Sequence, residues 1–130
     1  MTAQELLYDT VHHYNLNNRC VTSARCTYSP ITIGKENSEG CAIGRWLVPE
    51  LALQIDKERA DGSSGIVQII NLYPFPDWMK KLDIKFLKEL QRLHDVNSNW
   101  IETGLSVSGK YCVRDICENF DLDYEQLNLN

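Results

Sequence analysis

The sequence predicts a mostly α protein, a single compact domain over residues 1–130 with five or six helices and at most a small β element. Three observations carry that prediction. Apolar residues recur at helical spacing near both ends of the chain and through residues 84–97. Turn-forming residues fall between those stretches. The length, 130 residues, suits one core, since a chain of this size buries roughly 65–70% of the surface it exposes when unfolded.

The first helix spans Ala3 to Tyr14, with Leu6, Leu7, Val11 and Tyr14 at helical spacing. Thr2 and Glu5 stand where a capping box places them, and the asparagines from Asn15 to Asn18 end the helix. Periodicity fails from Arg19 to Gly40, where Cys26 to Ser29 reads as a short strand stopped by Pro30. Gly34 to Gly40 is a polar loop, and a long irregular segment in a compact domain is often functional. In Gly40-Cys41-Ala42-Ile43-Gly44-Arg45-Trp46, the small residues suit either a short, tightly packed helix or the approach of an anionic ligand.

Val48 to Arg59 reads as a helix, with Pro49 and Glu50 suited to its first turn. Ile66 to Ile70 is ambiguous between a strand and a buried helical turn. Pro74 and Pro76 fix an extended corner, after which Asp77 caps a short segment, Trp78 to Leu82. The strongest helix runs from Ile84 to about Asn97 behind the cap Asp83, with Phe86, Leu87, Leu90, Leu93 and His94 as its buried stripe. His94 and Asp95, being adjacent on a helix, are expected to diverge and make no dyad. Glu102 to Ser108 reads as a loop, with Ser106 or Ser108 capping a last helix, Lys110 to Phe120, whose buried side includes Tyr111, Val113, Ile116, Cys117 and Phe120.

Composition narrows the function classes. With 13 basic and 18 acidic side chains the chain carries a net charge of −5, against general nucleic-acid binding. No apolar run is long enough to span a bilayer and no secretory signal is read, so a cytoplasmic location is expected. Five cysteines, an odd count, then suggest free thiols in a reducing compartment. The spacings C-x5-C and C-x4-C match no zinc knuckle, although Cys20, Cys26, Cys41 and His12 or His13 are candidates to converge. No metal, cofactor or catalytic residue is assigned. A basic run, Lys80 to Arg92, and an acidic run, Asp115 to Glu125, read as solvated faces or as complementary surfaces compatible with a homo-oligomer.

Two segments are familiar together. Cys26-x-Tyr28 leads to Cys41-Ala42-Ile43-Gly44, and Leu90-Gln91-Arg92-Leu93-His94-Asp95 follows before Trp100. The chain resembles a group of short proteins of phages and bacteria that carry a CxY…C-A-[IV]-G segment and a later L-Q-x-L-H-D helix. The resemblance rests on residues 26–100 and implies a small, intracellular, phage-linked protein with no stated activity.

The reading that follows is a non-catalytic binder of a small anionic, nucleotide-like ligand, of the kind that counters a host defence signal. Arg25, Lys35 and Arg45 are the candidate phosphate ligands, and Tyr28 and Trp46 the candidate stacking rings. The alternative is a protein–protein interaction module that inhibits or adapts a host or phage protein.

Overall fold

The capping box at the start of the chain forms as its residues predict. In the computed structural model, Thr2 Oγ1 accepts from the Glu5 amide at 3.1 Å, and the Glu5 carboxylate accepts from the Thr2 amide at 3.0 Å. Helix α1 (Ala3–His13) therefore starts with two of its otherwise orphaned donors satisfied. The structure describes residues 1–22, 25–30 and 40–129, with the backbone alone at Thr22, Arg25 and Cys26. Most of the predicted polar loop, including Lys35, lies outside the described residues.

Strands β1 (Val21–Thr22) and β2 (Arg25–Cys26) pair antiparallel, with Val21 opposite Cys26. The predicted strand at 26–29 is thus cut short. Tyr28 and Ser29 give their amides, at 2.9 and 2.8 Å, to the buried Asp56 carboxylate instead of to a neighbouring strand. A 3-10 turn, Gly44–Trp46, precedes α2 (Pro49–Glu58), whose proline stands in the first turn where its missing N–H costs nothing.

The ambiguous isoleucine stretch forms α3 (Ile66–Ile69), a single turn that buries Ile66 and Ile69 at i, i+3. Helix α4 (Asp77–Lys80) follows Pro76, and α5 (Ile84–Asp95) starts where Asp83 Oδ1 accepts from the Lys85 amide at 2.9 Å. All five residues of the predicted stripe on α5 are buried, together with Gln91. Helix α5 is the hub, packing on α1, α3 and the last helix, α6 (Val107–Asn119).

At the predicted loop before α6 stands a hairpin, β3 (Trp100–Ile101) with β4 (Gly104–Leu105), turned at Glu102 and Thr103, with Gly104 opening β4 at a φ of +139°. Helix α6 begins three residues ahead of the predicted Lys110 because Ser106 is its cap, Oγ accepting from the Gly109 amide at 3.0 Å. Gly109 is needed there, since any side chain would collide with the Asn99 carbonyl. A closing 3-10 turn, Glu125–Leu127, returns to α1. Gln4 exchanges two hydrogen bonds with the Asp123 backbone, at 3.0 and 2.8 Å, and His12 Nε2 donates to the Leu127 carbonyl at 2.6 Å.

The mostly α class therefore stands, and the β content is limited to these two short hairpins among the described residues. One continuous apolar cluster runs from Leu6 and Leu7 through Ile43, Ile55 and Ile66 to Phe86, Leu90 and Val113. No helix among the described residues is long and apolar enough to cross a membrane.

Candidate functional site

The two familiar segments meet inside the core. Gln91 Nε2 donates to the Tyr28 hydroxyl at 2.6 Å, and that hydroxyl donates to the Ser64 carbonyl at 2.5 Å. Gln91 Oε1 accepts from the Ile66 amide at 2.9 Å, so one side chain of α5 fixes both Tyr28 and the start of α3. The small residues at 40 and 44 serve packing on Tyr28. A Cβ at Gly44 would stand 2.6 Å from the Tyr28 Cα and closer still to its carbonyl oxygen. At Gly40 a Cβ would strike the same oxygen, and φ of +113° already favours glycine.

His94 and Asp95 do meet, contrary to the expectation from helix geometry. His94 Nδ1 and Asp95 Oδ1 are 2.7 Å apart. Asp95 is the final residue of α5 and Val96 is extended, which frees the carboxylate to turn back on its neighbour. Chemistry does not follow from the pair. The Cys20 amide donates to His94 Nε2 at 3.2 Å, which puts the ring proton on Nδ1 and leaves no nitrogen to take one from a substrate. Arg19 Nη1 donates to the carbonyls of His94 and Asp95, both at 3.0 Å, and Nη2 reaches Asn97 Oδ1. This buried arginine closes the C-terminal end of α5, whose last carbonyls lack helical partners. Burial raises the Asp95 carboxyl above its ordinary range, against the hydrogen bond from His94.

Of the five residues expected to hold an anion, Lys35 lies outside the described residues and Arg25 is described only as backbone in β2. The Tyr28 side chain is buried with its hydroxyl engaged, while Tyr28 and Arg45 border one pocket of about 350 Å³. Arg45 pairs through Nη1 with the Asp9 carboxylate, and its guanidinium lies 4.6 Å over the Trp46 ring. Trp46 in turn meets Trp78 edge-on at 5.9 Å, with its indole N–H buried and without a hydrogen-bond partner among the described residues. The structure thus sets Arg45 on the Trp46 ring and brings Arg45 and Tyr28 to one pocket.

The described thiols offer no alternative centre. Cys20 and Cys41 are buried, and the Cys41 sulfur accepts from the Gly44 amide at 3.3 Å. Burial pushes Cys117 up to about 11 and also raises Cys112, in both cases away from the reactive thiolate. Among the described residues no three His, Cys, Asp or Glu side chains gather to hold a metal ion.

A different group faces solvent on α6. Val107, Lys110, Tyr111 and Arg114 recur at i, i+3, i+4 and i+7, which aligns them on one helical face. Together with Tyr124 and Leu129 they line a groove of about 410 Å³. Val107 is 72% exposed and Tyr111 66%, which corrects the prediction that Tyr111 is buried. The Arg114 guanidinium is stacked 4.4 Å from the centre of the Tyr124 ring. No described carboxylate lies within ion-pair distance of Lys110 or Arg114, and no acidic residue among the described ones lines the groove. Two cations beside two aromatic rings suit a ligand with an anionic and a flat part. The signal was present in the spacing Lys-Tyr-x-x-Arg but was hidden by assigning Tyr111 to the core.

Comparison with protein-family models, curated proteins and solved structures yields no match to this chain.

Proposed function

We propose that this protein is a non-catalytic binder of a small anionic, nucleotide-like ligand, held in the groove on α6 rather than at residues 25–46. One observation carries the reading: Lys110 and Arg114, without a carboxylate partner among the described residues, share a groove with Tyr111 and Tyr124 in a chain of net charge −5. Arg114 presents a planar fork that matches phosphate oxygens, and Lys110, one turn away, adds a compact point charge. Tyr111 supplies a ring on which a base stacks, and the stacking of Arg114 on Tyr124 orders the guanidinium in advance. Capture of this kind needs neither nucleophile nor base. A part in countering host defence extends the reading and is supported by the resemblance to phage and bacterial proteins alone.

Native mass spectrometry of the purified protein tests for a retained mass of a few hundred daltons that is lost on denaturation. Calorimetric titration with nucleoside phosphates, against the bare nucleoside, then tests the chemistry. Binding should require the phosphate, weaken with salt and fall by at least about tenfold in Arg114→Ala. Equal binding by wild type and Arg114→Ala, or none by any nucleotide at millimolar concentration, would sink this reading.

A second reading, a protein-interaction module, is favoured by the exposure of Val107 and Tyr111 on the same ridge, since tyrosine and arginine anchor many interfaces. A specific protein retained from lysate by wild type but not by Tyr111→Ala, with no nucleotide effect, would select it.

A further inference from the structure

We propose that two copies of this chain associate about a two-fold axis running along the groove between α5 and α6. This inference does not rest on the ligand reading, although Tyr111 borders both grooves. The groove measures about 500 Å³, with Glu89 and Arg92 of α5 on one wall and Tyr111, Cys112 and Asp115 of α6 on the other.

On the sides that flank this groove the two helices carry opposite charge, while Lys110 and Arg114 border the other groove of α6. Lys85, Lys88 and Arg92, at i, i+3 and i+7, form an exposed basic stripe along α5. Asp115 and Glu118, exposed and three residues apart, form an acidic edge on α6. The stripes do not neutralise each other within one copy. The only ion pair these five residues make among the described residues is the local contact of Arg92 with Glu89, at 3.9 Å.

A two-fold axis in the contact plane and parallel to the groove lays α5 of each copy over α6 of the other. Every basic stripe then faces an acidic edge, and the contact is made twice by symmetry. Val96, exposed at the rim of the groove, and Tyr111 supply apolar surface at the centre. A single-sign surface would repel its own copy; this one is complementary to itself, which makes a second copy the fitting occupant.

Light scattering and sedimentation of the full chain test the proposal. At tens of micromolar the protein should show twice its 15.0 kDa chain mass, dissociating between low salt and about 0.5 M salt. Lys85→Glu with Lys88→Glu should weaken the dimer by at least about tenfold, as should Asp115→Lys with Glu118→Lys. Mixing the two charge-reversed proteins should restore a heterodimer, which shows that each remains folded. A wild type that stays monomeric at hundreds of micromolar overturns the proposal. So does a dimer that neither reversal weakens, or two monomeric variants that fail to recombine while retaining the wild-type circular dichroism.

Discussion

Replacing Gln91 by leucine removes one side chain that serves two distant segments, and the cost follows from what is left behind. The Ile66 amide loses the acceptor held at 2.9 Å and stays buried at the start of α3, at about 1–3 kcal/mol. The Tyr28 hydroxyl loses the donor at 2.6 Å but keeps its own bond to Ser64, so this part costs about 0.5–1.5 kcal/mol. Leucine is close in size and more apolar, which offsets about 1 kcal/mol. The net loss is about 0.5–3.5 kcal/mol, with its midpoint at about 2 kcal/mol, or about 8 °C in Tm for a chain of this length. Urea unfolding followed by tryptophan fluorescence should show a lower midpoint at unchanged slope. The exposed Gln54→Leu, which loses only a 3.3 Å contact to Glu58, is the control and should stay within about 0.5 kcal/mol of wild type. Tyr28→Phe combined with Gln91→Leu should cost less than the sum of the two, by about 1 kcal/mol, because both delete the same bond. If Gln91→Leu unfolds within about 0.5 kcal/mol of wild type, the hydrogen bonds of this hub do not hold the fold in the way described.

Two further outcomes follow from the same core. Gly44→Ala meets backbone, the Tyr28 Cα at 2.6 Å, which no rotamer change relieves, so it should cost more than about 3 kcal/mol in urea unfolding. Gly62→Ala has nothing within 4 Å and only its φ of +97° against it, so it should cost about 1–2 kcal/mol; similar losses at both glycines would contradict the packing account. Asp95→Asn should gain stability relative to wild type as pH rises. Burial raises the Asp95 carboxyl above its ordinary value of 3.8, so the native state holds that proton more tightly than the unfolded chain does. The stability it contributes is full below that value and is lost as pH climbs through the raised one. Urea midpoints of the two proteins at pH 4 and pH 6.5 measure the difference; a variant that loses stability relative to wild type between those pH values would reverse the assignment.

Helix boundaries were legible wherever a cap and a stripe agreed. Thr2 with Glu5, and Asp83 ahead of Phe86, Leu87 and Leu90, locate α1 and α5 because caps and apolar spacing are local properties of the chain. Local reasoning failed where partners are distant. Nothing near Tyr28 announces that its amide goes to Asp56, so a strand was expected where the backbone instead turns to a buried carboxylate. Gln91 and Arg19 look like surface residues until their partners in other segments are known. The candidate groove was obscured differently. Tyr111 stands two, five and six residues from Val113, Ile116 and Cys117, spacings that put it across the helix from the buried side, so its aromatic character and not its period suggested the core.

Arg19 and its neighbours also bear on the order in which the chain can assemble as it is made. The guanidinium of Arg19 waits for the carbonyls of His94 and Asp95, the Cys20 amide waits for the His94 ring, and the Tyr28 hydroxyl waits for Gln91. Residues 19–28 therefore leave the ribosome about 70 residues ahead of the groups that hold them, several seconds at usual rates of synthesis. Helix α1 waits longer still, since Gln4 and His12 bond the backbone at Asp123 and Leu127. A nascent chain stalled before α5 has emerged would carry these donors exposed to water, and its N-terminal third would be open to proteases and chaperones until the L-Q-x-L-H-D helix arrives to close it.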